Sequence, residues 1–431
     1  MIAPLLALGL LAAPAAPPAP VTAVKAARMF DATSGKILAP GLVVVQGDRI
    51  VGAGPGATVP AGATVIDLGD ATLLPGFIDA HTHVSFEMSD DWKKDELDAL
   101  KQPISQQAIH ATVYARRTLL AGFTTLRDLG SAELIDVGLR NAIRAGDVPG
   151  PRLLVSVNAI GSTGGHCDVT GYRPGALAKD TGDGVADGPD AVRAMVRKQV
   201  KLGADVIKVC ASGGVLSEGD DVDTAQLTQA ELDALVDEAR ALRRRTAAHS
   251  HGATAAKRAV LAGIDSIEHG SFLDEEALDL MKKRGVVLVP TLMTGETELK
   301  LEALGAPPRV VEKAMAARAA MFRTFRRAVE KGVVIGFGTD SAVTPHGQNA
   351  REFRYMVENG MGAADALRAA TSVNARLLGV ADRLGALEAG KLADVIAVPG
   401  DPTRDVRTTE QVLFVMKDGA VHRNDRAAPR G

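Results

Sequence analysis

Two textures alternate along the chain. From Val24 to about Asp70, short apolar runs are broken every few residues by Ser-Gly, Pro-Gly and Gly-Asp pairs, a spacing that predicts strands and turns and leaves no room for a helix. The same texture returns after residue 384, in "GALEAGKLADVIAVPGDP" and "VLFVMKDGAVHR". An isolated hairpin cannot bury its apolar face. The two strand-rich ends, residues 24–72 and 381–425, therefore predict one small β-domain, a β-sandwich, built from both terminal regions.

Between them, over residues 73–380, the apolar period changes. Strands are expected at Phe77–His83, Thr124–Asp128, Arg152–Asn158, Val206–Cys210, Thr246–His251, Ser266–His269, Val286–Pro290 and Val333–Asp340. Among them lie "QAIHATVYARRTLLAG", "DAVRAMVRKQVKLG", "TQAELDALVDEARALRRR" and "HGATAAKRAVLAG", with apolar residues three and four apart, as amphipathic helices require. Strands alternating with helices over about 300 residues predict an α/β fold, a (β/α)8 TIM barrel. A doubly wound sheet would need a Gly-rich phosphate turn after an early strand, and none is present.

Composition narrows this picture only slightly. With 431 residues, 46% of them hydrophobic, the chain can bury a large core and a satellite domain. A formal charge of -3 and dispersed basic residues argue against a nucleic-acid partner. The one basic cluster, "RALRRR" at 240–245, reads as a solvated helix end, where cations suit the helix dipole. Residues 1–20 are uncharged and apolar, with small residues around Ala13-Pro14-Ala15, and resemble a secretory signal, which predicts a periplasmic or secreted protein. If the segment is not a signal, a cytoplasmic location is expected. No other segment has the apolar length to span a bilayer, so no membrane partner is expected. Cys167 and Cys210 could form one bridge, but Cys210 sits in the apolar run "DVIKVCASGG", and a buried free thiol is the preferred expectation.

The chemistry lies at the strand ends. His81, His83, Lys208, His249, His269 and Asp340 each fall at or near the end of an expected strand, where barrel enzymes carry their catalytic groups. His81 and His83 are two apart and share a strand face, so both imidazoles can reach one metal. The set predicts two divalent metal ions, zinc being the expected element, with His81, His83 and Asp340 on one ion and His249 and His269 on the other. The expected partner is a small-molecule substrate, and a homo-oligomer is expected.

These residues carry a resemblance to the amidohydrolase superfamily. "PGFIDAHTHV" is similar to its first metal motif, "IKVCASGG" to its carboxylated-lysine strand, and "AAHSH", "SIEHG" and "IGFGTDSA" to its later ligand strands. "GALEAGKLADVIAV" is similar to the segment that re-enters the family's small β-domain. "STGGH", "SGGVLSEGD" and "TPHGQN" resemble loops of a bacterial Xaa-Pro and Xaa-Arg/Lys dipeptidase-like group that includes ochratoxin-hydrolysing amidases. The resemblance implies a dinuclear hydrolase for amide or peptide bonds beside a carboxylate-bearing amino acid: dipeptides, N-acyl amino acids, or ochratoxin A cleaved to ochratoxin alpha and phenylalanine. Cyclic-amide or ester hydrolysis on the same centre is the alternative chemistry, and a non-catalytic scaffold the alternative class.

Roles follow from charge and reach. An ammonium would be repelled by the ions, so Lys208 is expected to capture carbon dioxide and serve as an anionic carbamate. Asp340 is the expected acid/base, taking a proton from the attacking water and returning it to the leaving amine. His251, two residues beyond His249, is a second catalytic and substrate-binding candidate. His166, Tyr172 and His346 are candidates for substrate binding, with Arg127 a further candidate partner for a substrate carboxylate. His110 and His422 are expected to be structural.

Overall fold

The computed structural model describes residues 19–173, 175 and 181–426. Residues 1–18 of the expected export signal lie outside them. Seven parallel barrel strands follow the expected order: β1 (Phe77–Thr82), β2 (Phe123–Asp128), β3 (Arg152–Val155), β4 (Val206–Cys210), β5 (Arg245–Gly252), β6 (Ser266–Phe272) and β7 (Val287–Val289). β1, β2 and β3 pair in sequence, as do β4 through β7. Bridging of Ile160 to Val209 and a bond from Asp205 N to Val155 O close the gap between the two groups.

The eighth barrel position departs from expectation. Residues 333–340 make no continuous strand; Ile335 bridges Leu288, Ala80 N donates to Phe337 O, and Asp340 N donates to His81 O. Gly336 and Gly338 explain how the chain fits there. A Cβ on Gly338 would lie 2.4 Å from Val289 Cγ1 and 2.9 Å from His81 Cβ, too close for any side chain. Side chains replace the missing ladder bonds. The Asn374 amide donates to Ile78 O and Phe337 O at 2.8 and 2.7 Å, and the Asp79 carboxylate accepts from Thr339 Oγ1, Thr339 N and Asn349 Nδ2. Phe77, Phe123, Phe337 and Phe353 pack against one another beneath this closure.

The helices wrap the barrel with their apolar faces inward. Gln229–Ala241 opens on a capping box between Thr228 and Glu231, and Ala253–Ala262 ends at Gly263, whose φ is +97°. The first of these stops at Ala241, short of the expected 245, because Arg245 starts β5 and pairs with Asp265. No helix among the described residues is long and apolar enough to cross a membrane.

The terminal regions meet in a sandwich. One sheet holds Val21–Ala26, Gly41–Gln46, Arg49–Ala53 and Thr64–Asp67; the other holds Arg28–Asp31, Lys36–Leu38, Ala71–Pro75, Val395–Pro399, Phe414–Lys417 and Ala420–Asn424. Ala71–Pro75 pairs with Val395–Pro399, so the second sheet joins residues from both ends of the chain. Val24, Val43, Ile50, Leu73, Val395 and Phe414 fill the space between the sheets.

Candidate metal centre

A cavity of about 480 Å³ opens at the carboxyl ends of the strands, and His81, His83, Lys208, His249, His269 and Asp340 all line it. Asp340 Oδ1 lies 3.3 Å from His83 Nε2 and 3.6 Å from His81 Nε2, and Lys208 Nζ lies 3.5 Å from His81 Nε2. The His249 and His269 rings are 4.7 Å apart. Ligand atoms of His81, His269 and Asp340 lie within 4.8 Å of one another, as do those of His249, His251 and His269. Two groups of buried nitrogen and oxygen donors thus share His269, a donor set that fits divalent cations.

Two of these residues depart from strand geometry. His269 has φ +69° and Asp340 has φ +56°, a left-handed backbone that is uncommon outside glycine. Each turns its side chain off the regular alternation and over the barrel mouth.

Neighbouring groups fix which imidazole nitrogen is free. His81 Nδ1–H donates to Glu268 Oε2 at 2.9 Å and His83 Nδ1–H to Gly130 O at 2.9 Å, leaving both Nε2 atoms to the cavity. His269 Nδ1 is 2.8 Å from Thr291 Oγ1, which likewise frees Nε2. His249 is reversed: Nε2 faces Gly213 O at 3.0 Å, which leaves Nδ1 free.

Burial sets the protonation states. It pushes His81 down to about 4, with the Lys208 charge adding to the effect, and holds His249 and His269 well below their usual value. Those imidazoles are therefore neutral, the form with a lone pair to donate. Burial likewise lowers Lys208 to about 8, against the pull of Glu268 and Asp340. Burial works against the Asp340 anion too, but His81, His83 and Lys208 hold its carboxyl well below the usual range. Burial opposes the His83 cation, but the bond to Asp340 and the charges of Asp340 and Asp128 together raise its pKa.

The remaining candidates divide. His251 and His166 line the cavity. His251 Nδ1 is 2.9 Å from Ser271 Oγ, and burial brings His251 to about 3 and His166 to about 4. His166 stacks on His249 with ring centres 4.2 Å apart, and its Nδ1 is 3.0 Å from Ser217 Oγ. Gly214 makes this seat: a Cβ there would lie 2.0 Å from His166 Nδ1. Tyr172 is half-exposed and outside the cavity lining. His346 is also outside it, with Nε2 2.9 Å from Phe86 O and its ring stacked on Tyr114.

Two expectations are overturned. Arg127 is not available to a substrate carboxylate: it is buried inside the barrel, donating to Ala80 O at 2.6 Å, Ser266 Oγ at 3.1 Å and Glu268 Oε1 at 2.8 Å. Cys210 is not a free thiol. The loop after β3 folds back over the end of β4, bringing the Cα atoms of Cys167 and Cys210 to 6.0 Å, and the two are joined by a disulfide beside His166.

Sequence reasoning missed the supporting groups Glu268, Thr291, Ser271 and Asp79. Glu268 carried a usable signal, because a carboxylate inside an apolar strand requires a buried partner. Burial opposes its charge, but Arg127 and then His81 hold it at about 2.

Comparison with known proteins agrees with this geometry. Residues 72–422 match the Amidohydrolase family. The chain is 33% identical over 377 residues to an ochratoxinase of Aspergillus niger, covering 83% of this chain and 77% of that protein. A crystal structure of the A. niger ochratoxinase superposes with a TM-score of 0.82 at 30% identity, covering 96% and 98% of the two chains. A Xaa-Pro dipeptidase with methionine bound in its active site superposes with a TM-score of 0.87 at 40% identity, covering 94% of this chain and all (100%) of that one. A prolidase complexed with N-methylphosphonate-L-proline gives 0.85 at 33%, with the same coverage of 94% and 100%.

Thr291 offers a clean test of the ligand assignment. Thr291→Val preserves shape and removes the hydroxyl that orients His269, and is expected to weaken metal binding about tenfold or more, as loss of such a partner does. Competition with a chromogenic chelator measures it. Unchanged affinity would remove His269 Nε2 from the ligand set.

Proposed function

The chain belongs to the amidohydrolase family as a metal-dependent enzyme related to dipeptidases and ochratoxinase, and on that premise we propose that it hydrolyses an amide or peptide bond adjoining an amino acid with a free carboxylate. Dipeptides, N-acyl amino acids and ochratoxin-type aryl amides of phenylalanine are the proposed substrates. The observation that carries this reading is the cavity that places neutral His166 and His251 beside the cluster of ligand atoms. The similarity to a Xaa-Pro dipeptidase and to an ochratoxinase supports it.

In this reading His81, His83 and Asp340 would hold one divalent ion, zinc being the proposed element, and His249 and His269 the other; when bound, the ions would supply an activated water and Lewis-acid polarisation of the carbonyl. Lys208 would supply an anionic ligand to the same centre as its carbamate. Its lowered pKa leaves a fraction of neutral amine at neutral pH; that nitrogen bonds to the carbon of carbon dioxide and releases a proton, converting a repelled cation into an anion. Asp340 takes the proton of the attacking water and passes it to the leaving nitrogen as the C–N bond breaks. In the tautomer in which Ser271 Oγ–H donates to His251 Nδ1, Nε2–H of His251 is left to donate to the carbonyl oxygen as charge develops on it. The carboxylate of the leaving amino acid would bind beside His166, its negative charge favouring protonation of that otherwise neutral ring.

Asp340→Asn tests the proton transfer. It is expected to lower kcat by at least about 100-fold, the scale of general acid–base catalysis, and near-normal kcat would move that role elsewhere. Carboxylate anchoring is tested by comparing an N-acyl-phenylalanine with its carboxamide at one pH. An anchored charge positions the carbonyl, so kcat/KM for the carboxamide should fall by about tenfold or more. Equal values for the two compounds would reject the carboxylate requirement.

A further inference from the structure

The cavity that His166 lines also carries a buried carboxylate with no ion pair among the described residues. Glu298 ends the short helix Thr294–Glu298 that follows β7, lines the same cavity, and is only 7% exposed. One oxygen is 3.3 Å from Thr294 Oγ1; the other has no hydrogen-bond partner, and the side chain makes no ion pair among the described residues. Arg318 is the cation whose charge it feels, yet that guanidinium donates to Gly295 O at 3.0 Å and lies over the Phe322 ring. Leu301, Met321 and Val343, lining the same cavity, supply no compensating charge. Burial pushes the Glu298 carboxyl up to about 7. A buried, unpaired acid on a binding wall is costly, and a ligand carrying the missing cation relieves that cost.

The geometry points to Glu298 as the anchor for a cationic nitrogen on the acyl side of the substrate. This assignment rests on the amidase reading above and makes it more specific. His166 lies on the loop after β3, stacked on His249, and Glu298 lies on the segment after β7; both line the one cavity. A carboxylate-bearing leaving group would be repelled by Glu298 and drawn away from it, which leaves the acyl portion beside Glu298. The cation is either the α-ammonium of a dipeptide or an ammonium at the end of a longer acyl chain, as in a basic side chain. A neutral N-acyl group would leave Glu298 unpaired.

The test uses two matched pairs with a common phenylalanine leaving group: Ala-Phe against propionyl-Phe, and 6-aminohexanoyl-Phe against hexanoyl-Phe. The metal-loaded wild-type enzyme is expected to favour the cationic member of at least one pair by about tenfold or more in kcat/KM, and Glu298→Gln to bring that ratio close to one. Preference within the first pair identifies an α-ammonium; preference within the second identifies a terminal one. The ratio cancels any loss of folded enzyme, and Glu298→Met gives the same readout if the glutamine form does not fold. A ratio near one in both wild-type pairs, or a ratio unchanged in the neutral variants, overturns the assignment while leaving the amidase reading intact. Failure of the wild type to cleave any of the four compounds overturns both.

Discussion

The site rests on a charged chain sealed inside the barrel. Arg127 on β2 pairs with Glu268 on β6, and Glu268 in turn holds His81 at the end of β1. All three side chains are almost fully buried, so the Arg127 and Glu268 charges depend on each other, and neutral His81 adds a hydrogen bond to the pair. Removing one partner of such a pair leaves an uncompensated buried charge and costs about 3–5 kcal/mol. The guanidinium also donates to Ala80 O and Ser266 Oγ, so a single residue ties three strands together directly below the cavity. The chain also selects a tautomer: Glu268 accepts a hydrogen bond from Nδ1–H of His81, which leaves Nε2 facing Lys208 and Asp340.

Above this floor, regular backbone gives way where ligand geometry demands it. His269 and Asp340 both adopt left-handed φ, and the segment leading to Asp340 forms bridges in place of a ladder. Such conformations persist only when the surroundings over-determine them. Here Asn374 and Asp79 grip the eighth segment from one side, while Gly336 and Gly338 let it press against β7 and β1. The rigidity belongs to side-chain hydrogen bonds in the barrel interior, and the six cavity-lining ligand candidates are positioned by it.

Much of this was legible in the chain. A period-two apolar run ending in His-x-His specifies both a strand and a shared face, and the β1, β2 and β4–β7 strands lie within a residue or a few of the expected ranges. What escaped notice depends on contacts distant in sequence. Glu268 reads as one more polar residue until Arg127, 141 positions away, is seen to meet it. Arg127 itself looked like a substrate anchor, because nothing local reveals that its guanidinium points inward. The Cys167–Cys210 bridge forms only because a loop doubles back over a strand, and burial of Cys210 alone suggested a free thiol. Glu298 follows an irregular turn and a five-residue helix, too short to show a periodic signal.

The account stands on the claim that side chains from both halves of the barrel hold two cations. The most direct measurement is anomalous diffraction at the zinc edge from crystals of the zinc-loaded protein. Two peaks roughly 3.5–4 Å apart are expected, as in two-metal hydrolytic sites: one within bonding reach of His81 Nε2, His83 Nε2 and Asp340, the other of His249 Nδ1 and His269 Nε2, with carbamate density extending from Lys208 Nζ to both. A single peak, or one held by His249, His251 and His269 with His81 and His83 unligated, would contradict it.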